Sequence, residues 1–449
     1  MKHIVQQIHF VGIGGAGMSG IAEVLLNLGY RVSGSDIADG STTKRLKDLG
    51  AEIHIGHRAE NIGNAEAVVI STAVTGDNPE VLAARAAHVP VVARAVMLAE
   101  LMRLKQGIAI AGTHGKTTTS SLLTHLLISA KKNVTAFLGG ITVNYGTNFI
   151  PNHSKEDIVC VVEADEYDRS FLTLHPQAAV VTSTDADHLD IYGDGDSVLE
   201  SFQLFVNQIK PNGFFIQKSG LTLNSTLGGL TFGIDTGDFK AHNIRIENHR
   251  MIFDMSYPGG EVLDIPMRIP GFHNIENALA AAALAMQVGV TGEEIKAGIA
   301  SFLGVKRRFE YHMESDEHVM IDDYAHHPTE IAACLHSVKA LYPGEKITAV
   351  FQPHLFSRTR DFIDDFAKSL AIADEVYLLD IYPARELPME GITSQWLMNK
   401  MTSEDKKLVS KEDLIPTILA TDARIIVTIG AGDLGEMVPS IKNALYETI

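Results

Sequence analysis

The chain has 449 residues, of which 45% are hydrophobic and 20% are charged, and its formal net charge is −18. This length exceeds what one hydrophobic core usually supports, so two or three domains are expected. The acidic balance, without a long block of Lys and Arg, argues against a nucleic-acid or anionic-membrane partner.

No apolar run approaches the roughly 18 to 20 residues of a membrane-spanning helix. The first residues lack the charged and apolar regions of a secretory signal. The two cysteines, Cys160 and Cys334, stand in apolar contexts that predict buried thiols in a reducing compartment. We therefore expect a cytoplasmic protein, either a monomer or a weak homodimer.

A glycine-rich turn follows the first predicted strand, Ile8 to Val11. It reads Gly12-Ile13-Gly14-Gly15-Ala16-Gly17 and leads into a helical pattern, and Asp36 ends the next strand where an acid would meet a ribose hydroxyl. Taken alone, this predicts an NAD-dependent oxidoreductase. The loop itself only receives a diphosphate, however, and a UDP-sugar carries one as well. Strand-like runs as far as about residue 103 predict a parallel sheet around this loop.

A second glycine loop follows the apolar run 107–111 and precedes a helix-like stretch at 120–127. Its residues are Gly112-Thr113-His114-Gly115-Lys116-Thr117-Thr118. Glycines let the backbone approach a phosphate, Lys116 adds a positive charge and the Thr117 hydroxyl can ligate Mg²⁺, so we predict an ATP site. The common pattern has glycine at position 110, where this chain has Ile110, which makes the loop a shortened variant.

Acidic residues and a histidine follow the next two predicted strands. The strand 158–162 ends in Glu163, which is well placed to hold Mg²⁺ opposite the phosphate loop. The strand 178–182 leads into the segment 185–190, which contains His188. A solvated loop face is the alternative interpretation, because that is what charge runs usually form.

Two further segments complete the middle of the chain. His273 and Asn274 precede an alanine-rich helix, and capping of that helix would be a sufficient structural reason for Asn274. Three adjacent cations, Lys306, Arg307 and Arg308, follow in an otherwise acidic protein. We expect at least one of them to meet phosphate.

The last third of the chain has strand patterns at 319–324, 349–354, 375–380 and 425–429, which predict a third parallel sheet. In such sheets ligands bind beyond the carboxyl ends of the strands. The side chains that fall there are Tyr324, His326, His327, Arg358 and Arg360. The paired histidines could instead serve only to start a helix.

Taken jointly, these motifs resemble the Mur ligase family over essentially the whole chain. The segments that carry the resemblance are 9–18, 111–119, 163–166, 187–188, 273–274, 322–330 and 351–354. The resemblance implies an α/β protein of three domains. These are an N-terminal Rossmann-like UDP-binding domain (1–104), a central ATPase-type domain with the phosphate loop (105–310) and a C-terminal Rossmann-like domain that receives an amino acid (311–449).

The resemblance also implies a reaction. ATP phosphorylates the lactyl carboxylate of UDP-N-acetylmuramate, and the amine of L-alanine attacks the acyl phosphate. Lys116, Glu163 and His188 would be catalytic, with Thr117, Glu163 and His188 holding two Mg²⁺ ions that Mn²⁺ can replace. The implied UDP-sugar contacts are Gly12, Gly14, Gly15, Ala16, Gly17, Asp36 and Ser71. The implied ATP contacts are Gly112, Thr113, His114, Gly115, Lys116, Thr117, Thr118, His273, Asn274, Asn277 and Arg308. The implied amino-acid contacts are Tyr324, His327 and Arg358.

The chain departs from the family pattern at three places. Several members of the family carry a carbamylated lysine in the stretch that corresponds to residues 201–205. This chain has no lysine there, and the first lysine after it is Lys210, so we predict no carbamylated lysine. Leu355 stands where some alanine-adding members have arginine, which leaves Arg358 or Arg360 to bind the carboxylate. Tyr167 differs from the residue common in the family at this position and matches the sequence motif of the murein tripeptide ligase. That enzyme is the nearest alternative interpretation of this chain. A protein that hydrolyses ATP without ligating anything is a further alternative.

Overall fold

The computed structural model describes residues 5–103, 105–152, 154, 158–167, 169–185, 195–384 and 386–448. Within them, three separate sheets follow one another along the chain, each covered by helices. The predicted three-domain α/β architecture is confirmed.

The first sheet has the strand order β3-β2-β1-β4-β5, and every described pair in it is parallel. This is the order of a Rossmann-like half, in which a ligand binds where the order reverses beside β1. The central strand is buried on both faces, as in Phe10 and Val11 at 0% exposure. The elements are β1 Gln7–Val11, α1 Ala16–Asn27, β2 Arg31–Asp36, α2 Ser41–Asp48, β3 Glu52–Ile55, β4 Ala67–Ile70, α3 Pro79–Ala86, β5 Val91–Ala93 and α4 Arg94–Arg103.

The second sheet is the largest, with the order β15-β14-β13-β12-β11-β10-β6-β9-β7-β8. Its centre is parallel, whereas β13 to β15 form an antiparallel arm that the sequence analysis did not predict. The strands are β6 Gln106–Ala111, β7 Val134–Phe137, β8 Phe149–Ile150, β9 Val159–Glu163, β10 Ala178–Val181, β11 Phe214–Lys218, β12 Leu230–Ile234, β13 Phe239–Glu247, β14 Arg250–Tyr257 and β15 Gly260–Met267. The helices are α5 Lys116–Ser129, α6 Gly195–Val206, α7 Phe272–Gln287 and α8 Gly292–Ser301.

The third sheet has the order β16-β17-β21-β18-β19-β20, parallel except for the edge strand β16. Its strands are β16 Glu310–Glu314, β17 Val319–Asp323, β18 Ile347–Phe351, β19 Glu375–Leu378, β20 Asp405–Leu408 and β21 Ile425–Ile429. Its helices are α9 Pro328–Leu341, α10 Phe356–Asp361, α11 Ile363–Leu370, α12 Ser394–Lys400, α13 Lys411–Leu419 and α14 Leu434–Tyr446.

Both outer domains pack against the central one. On the N-terminal side, Gly20 of α1 lies so close to the central domain that a Cβ there would fall 2.9 Å from the Phe149 ring. On the C-terminal side, the antiparallel arm contributes His249, whose Nδ1 lies 2.7 Å from the Leu341 carbonyl oxygen and whose ring stacks on Tyr342. The central domain therefore contacts the other two through specific side chains.

The two cysteine thiols are buried, as predicted, Cys160 in β9 and Cys334 in α9. Burial raises the pKa of Cys160 to about 12, and it also raises the pKa of Cys334. Neither thiol is therefore ionised near neutral pH. Among the helices described, none combines the length and the apolar content that crossing a membrane requires.

Candidate active site

The phosphate loop at 112–115 joins β6 to α5, and its glycines are required by close contacts. Gly112 has φ +139°, and a Cβ there would fall 2.0 Å from Thr182 Oγ1. Gly115 has φ +82°, and a Cβ there would fall 2.4 Å from Asn277 Oδ1. Both conformations lie where only glycine is unstrained. The loop thus presents its backbone at the N-terminus of α5, the arrangement that binds phosphate.

Lys116 is the first residue of α5, and its ammonium group is held by two acceptors. Nζ donates to the Gly112 carbonyl at 2.7 Å and to Glu166 Oε1 at 2.9 Å. The Glu166 side chain is only 1% exposed. The sequence analysis did not assign Glu166 to the site, although an acid shortly after the buried strand β9 was a usable signal. These two contacts hold the Lys116 ammonium group beside the phosphate loop.

Thr117 and Glu163 come together as predicted for a metal site. The Thr117 hydroxyl donates to Glu163 Oε1 at 2.9 Å, and the Gly139 N–H donates to Glu163 Oε2 at 2.7 Å. Burial raises the pKa of Glu163, a cost that a bound divalent cation would offset. A hydroxyl beside a carboxylate is an oxygen donor set that suits Mg²⁺. The predicted ligand His188 lies outside the described residues.

Two hydroxyl residues after β10 brace the phosphate loop, and the sequence analysis did not identify them. Ser183 Oγ lies 2.8 Å from Thr113 Oγ1 and accepts the His114 N–H at 2.8 Å. Thr182 Oγ1 donates to the Ala111 carbonyl at 3.1 Å. The loop is therefore shaped before any nucleotide is present.

Three of the predicted ATP contacts, His273, Asn274 and Asn277, lie at the start of α7, beside the phosphate loop. Asn277 Oδ1 accepts the Thr119 hydroxyl at 3.1 Å, and Asn277 Nδ2 donates to Asn274 Oδ1 at 3.2 Å. The cap of α7 is Gly271, so the capping interpretation of His273 and Asn274 is wrong, because both lie in the first turn. Burial lowers the pKa of His273, which favours the neutral ring.

The first glycine loop lies at the switch point of the N-terminal sheet. The Gly12 and Ile13 N–H groups donate to the Ser35 carbonyl at 2.8 and 2.9 Å. Asp36 Oδ2 accepts the Gly14 N–H at 2.8 Å, so the predicted ribose acid contacts the loop itself. Gly15 caps α1, Ala16 and Gly17 begin it, and Ser71 follows β4 at the same edge.

A buried carboxylate lies behind this loop. Glu80 Oε2 accepts the Ser35 hydroxyl at 2.6 Å and lies 3.5 Å from His9 Nε2, with both Glu80 and His9 at 0% exposure. Although burial acts to raise it, the contact with His9 and hydrogen bonds from Ser35 and Asn61 lower the pKa of Glu80 to about 2. The network holds the strand end whose carbonyl receives the loop.

The third domain gathers aromatic rings and an arginine at the ends of β17 and β18. The His326 ring lies 5.4 Å from the Tyr324 ring and 6.2 Å from the His354 ring, centroid to centroid. Arg358 Nη1 is buried and has no hydrogen-bond partner within the described part of the chain. Arg360 instead pairs with Asp361, Nε to Oδ1 at 2.7 Å. Of the two arginines, Arg358 is thus the one with a guanidinium nitrogen that has no hydrogen-bond partner among the described residues.

His327 and Leu355 determine how the helices of this region begin. His327 caps α9, where Nδ1 accepts the Thr329 N–H at 3.4 Å, so the helix-start interpretation holds for this residue. Leu355 has φ +72°, a left-handed conformation that costs a non-glycine residue about 1–3 kcal/mol. Its N–H donates to the Tyr382 carbonyl at 3.0 Å immediately before α10, which carries Arg358.

Arg308 stands between the second and third domains. Its positive charge contributes to lowering the pKa of His273 in the second domain and of His326 in the third, in both cases after the larger effect of burial. His273 of the second domain and His326 of the third therefore both lie within electrostatic reach of Arg308.

Three family models match the chain in sequence order. They are described as Mur ligase family, catalytic domain (7–106), Mur ligase middle domain (110–285), and Mur ligase, glutamate ligase domain (307–432). The chain belongs to the Mur ligase family. Every phosphate-loop residue described above falls within the middle-domain match.

Individual relatives extend this finding over the full length. The chain is 48% identical to a UDP-N-acetylmuramate–L-alanine ligase of Flavobacterium johnsoniae, covering 99% of each sequence. It is similar to the crystal structure of a UDP-N-acetylmuramate–alanine ligase from Thermotoga maritima, with a TM-score of 0.78, 29% identity and coverage of 98% and 99%. A murein peptide ligase from Psychrobacter arcticus, at 23% identity, a TM-score of 0.63 and 98% coverage of each chain, shares the fold.

Proposed function

We propose that this Mur ligase joins L-alanine to the lactyl carboxylate of UDP-N-acetylmuramate, with conversion of ATP to ADP and phosphate, in peptidoglycan precursor synthesis. The observation that carries the proposal is the 48% identity to an alanine ligase over 99% of both chains. The two glycine loops and the cluster around Tyr324 and Arg358 support the proposal as candidate regions for the three substrates.

In the proposed first half-reaction, the phosphate loop positions ATP and the lactyl carboxylate attacks its terminal phosphorus. Lys116 and the loop N–H groups neutralise charge on the transferred phosphoryl group. Thr117 and Glu163 would hold Mg²⁺, which would offset phosphate charge, and His188 is proposed as a ligand of a second ion. Glu166 keeps Lys116 in place through its 2.9 Å hydrogen bond.

In the proposed second half-reaction, the amine of L-alanine attacks the acyl phosphate and phosphate leaves. Nη1 of Arg358, which is buried and has no hydrogen-bond partner among the residues that the structure describes, supports a role in binding the alanine carboxylate, since a guanidinium offers paired donors to a carboxylate. Tyr324 lines the same region, and His327 contributes as the cap of α9. Leu355 adds no charge there.

The remaining roles follow the domain order. We assign UDP-sugar binding to residues 1–104, ATP binding to 105–310 and amino-acid binding to 311–449. In the first, the loop from Gly12 to Gly17 receives the diphosphate, with Asp36 and Ser71 at its rim. In the second, His273, Asn274 and Asn277 contact adenine, and Arg308 contacts the phosphates.

A phosphate-release assay tests the proposal, with ATP, Mg²⁺ and UDP-N-acetylmuramate present and L-alanine, glycine, L-serine or the murein tripeptide as acceptor. We expect L-alanine to give the highest kcat/KM and a product heavier by one alanine residue in mass spectrometry. Turnover with the tripeptide alone would replace the proposal with the tripeptide ligase. Phosphate release that needs neither UDP-sugar nor amine would indicate a simple ATPase, and nicotinamide reduction would indicate an oxidoreductase.

A further inference from the structure

Arg307, the residue before Arg308, is bound on several sides by the third domain. Its Nε donates to Asp322 Oδ2 at 3.1 Å, and Nη2 donates to the Gly430 carbonyl. Its backbone N–H donates to Glu310 Oε2 at 2.8 Å. Asp322 is 1% exposed, so the guanidinium neutralises a buried carboxylate. Neither the sequence analysis nor the proposed mechanism gave this residue a role of its own.

Arg307 also contacts the proposed amino-acid site directly. Its carbonyl oxygen accepts the Tyr324 N–H at 2.6 Å, and its guanidinium carbon lies 5.0 Å from the centre of the Tyr324 ring. The first contact fixes the Tyr324 backbone, and the second is a cation–π contact with its side chain. The backbone and the ring of Tyr324 are thus both set by one residue.

The backbone around Arg308 is held in an unusual conformation. Arg307 has φ +59° and Phe309 has φ +47°, so two left-handed residues flank Arg308. The Phe309 N–H donates to Asp323 Oδ2 at 2.9 Å. Non-glycine residues keep such conformations only where the surrounding structure over-determines them. Here the contacts of Arg307 and Phe309 with the third domain do so.

The residues just before Arg307 are bound to the second domain instead. The Lys306 N–H donates to the Ile141 carbonyl at 2.8 Å, and the Val143 N–H donates to the Gly304 carbonyl at 2.9 Å. Ile141 and Val143 lie in a loop that begins at Gly139, whose N–H donates to the proposed metal ligand Glu163. The change from second-domain to third-domain contacts therefore falls between Lys306 and Arg307.

Arg307 contributes a positive charge to a cluster of two carboxylates and a histidine. Ligand atoms of Glu310, His312 and Asp322 all lie within 4.8 Å of one another. His312 Nε2 lies 3.4 Å from Glu310 Oε2, while Arg307 supplies the charge that Asp322 needs. A lysine would keep this charge but could not donate to Asp322 and Gly430 from one rigid plane.

We propose that Arg307 is a positioning residue that fixes Arg308 and Tyr324 relative to each other, so that the phosphate site and the acceptor site are assembled together. The inference rests on the proposed function, which assigns Arg308 to phosphate and Tyr324 to L-alanine. Loss of Arg307 disturbs the acceptor step and leaves the distant UDP-sugar loop unchanged.

The first test is Arg307→Lys. We expect kcat/KM for L-alanine to fall by about 10- to 100-fold, because small misplacements of binding groups cost this much. The Kd of UDP-N-acetylmuramate, measured by calorimetry, should stay within error of the wild type. Hydrogen exchange of residues 306–310 should speed up. A parallel loss of UDP-sugar binding would overturn the inference, because it would indicate general damage.

Arg424→Lys is the matched control. Arg424 has a similar exposure, 24% against 26%, and likewise pairs with a carboxylate, Glu345, and a carbonyl, Ser315. It lies before β21, at the opposite end of that strand from Gly430. We expect the control to leave kcat/KM for L-alanine and the exchange of 306–310 unchanged. Equal effects of the two lysine variants would contradict a special role for Arg307.

Gly435→Ala tests the same contact without removing the arginine. Gly435 lies in the first turn of α14, where alanine suits the helix, but a Cβ there would fall 2.5 Å from Arg307 Cζ. We expect the same fall in kcat/KM for L-alanine and the same faster hydrogen exchange as for Arg307→Lys, with little further loss when the two changes are combined. Wild-type kinetics in both single variants would overturn the inference. If the wild type ligated no alanine, the proposed function would fail, and hydrogen exchange would still decide the positioning role.

Discussion

The two glycine loops of this protein follow the same plan and carry different chemistry. Each joins a central parallel strand to a helix, and each has its backbone set by bonds from the neighbouring strand end. The N-terminal loop has no charged or hydroxyl side chain of its own, and an acid, Asp36, accepts the N–H of its Gly14. The central loop adds an ammonium group on Lys116 and a hydroxyl on Thr117. Glycine spacing therefore specifies the shape of the loop, and the flanking side chains specify what it does.

The sharpest way to separate the loops is Lys116→Ala. We expect phosphate release to fall by about 1,000-fold or more, because charge neutralisation on the transferred phosphoryl group is lost. UDP-sugar affinity, measured by calorimetry, should be nearly unchanged since that ligand binds the other loop. Comparable loss of both would mean that the two loops serve one ligand.

Thr117→Val removes the hydroxyl of the central loop at almost constant shape. We expect a loss of activity of about 10- to 100-fold and a higher Mg²⁺ concentration for half-maximal rate, because one metal ligand is missing. Thr117→Ser is the matched control and should restore most of the activity. An unchanged Mg²⁺ dependence in the valine variant would remove Thr117 from the proposed metal site.

Gly14→Ala probes the N-terminal loop. The added Cβ would fall 2.8 Å from Asp36 Oδ2 and disturb the N–H that Asp36 accepts. We expect KM for the UDP-sugar to rise about tenfold with kcat and KM for ATP close to wild type, the pattern of lost uniform binding. Gly76→Ala, whose nearest neighbour would lie 3.8 Å away, is the control. A raised KM for ATP would break the comparison.

Glu80→Gln tests the support behind the N-terminal loop and should have the smallest effect on activity. Because the folded-state pKa of Glu80 is lowered to about 2, its stabilising contribution is present above about pH 4.5 and is lost as the pH falls towards 2. At pH 7 we expect the free energy of unfolding to fall by about 1–3 kcal/mol. Denaturation at several pH values should show this difference shrinking below pH 4.5.

Glu100→Gln is the control for this measurement. Its ion pair with Arg103 is more than half exposed on both sides and should contribute little at any pH. A difference between wild type and Glu80→Gln that stays constant down to pH 2 would contradict the assigned network.

The residues whose positions could be predicted from the sequence are those placed by the local order of strand, loop and helix. Gly112, Lys116 and Thr117 are almost consecutive, so a strand and a helix around them suffice to place them. The position of Glu163 next to the loop could be predicted because this residue ends a buried strand that pairs with β6. The parallel sheets were predicted because buried strands between amphipathic helices have a clear pattern.

Specific contacts between residues that are far apart in the sequence could not be predicted in this way. The Thr119–Asn277 hydrogen bond joins positions 158 apart, and the Glu166 contact depends on the turn after β9. The role proposed for Arg307 could be recognised only from the structure, in which Gly435 leaves room for the guanidinium. The strands of the antiparallel arm alternate buried and exposed residues irregularly, with register shifts in both pairings.

The burial of both thiols has a practical consequence. Because Cys160 and Cys334 are buried and their pKa values are raised, maleimide reagents should not react with them in the folded protein. Cysteines introduced at the exposed positions Lys44 and Lys368 could then be labelled with a fluorophore pair, without first replacing the two buried cysteines. The distance between the first and third domains could be followed during turnover in an otherwise native chain.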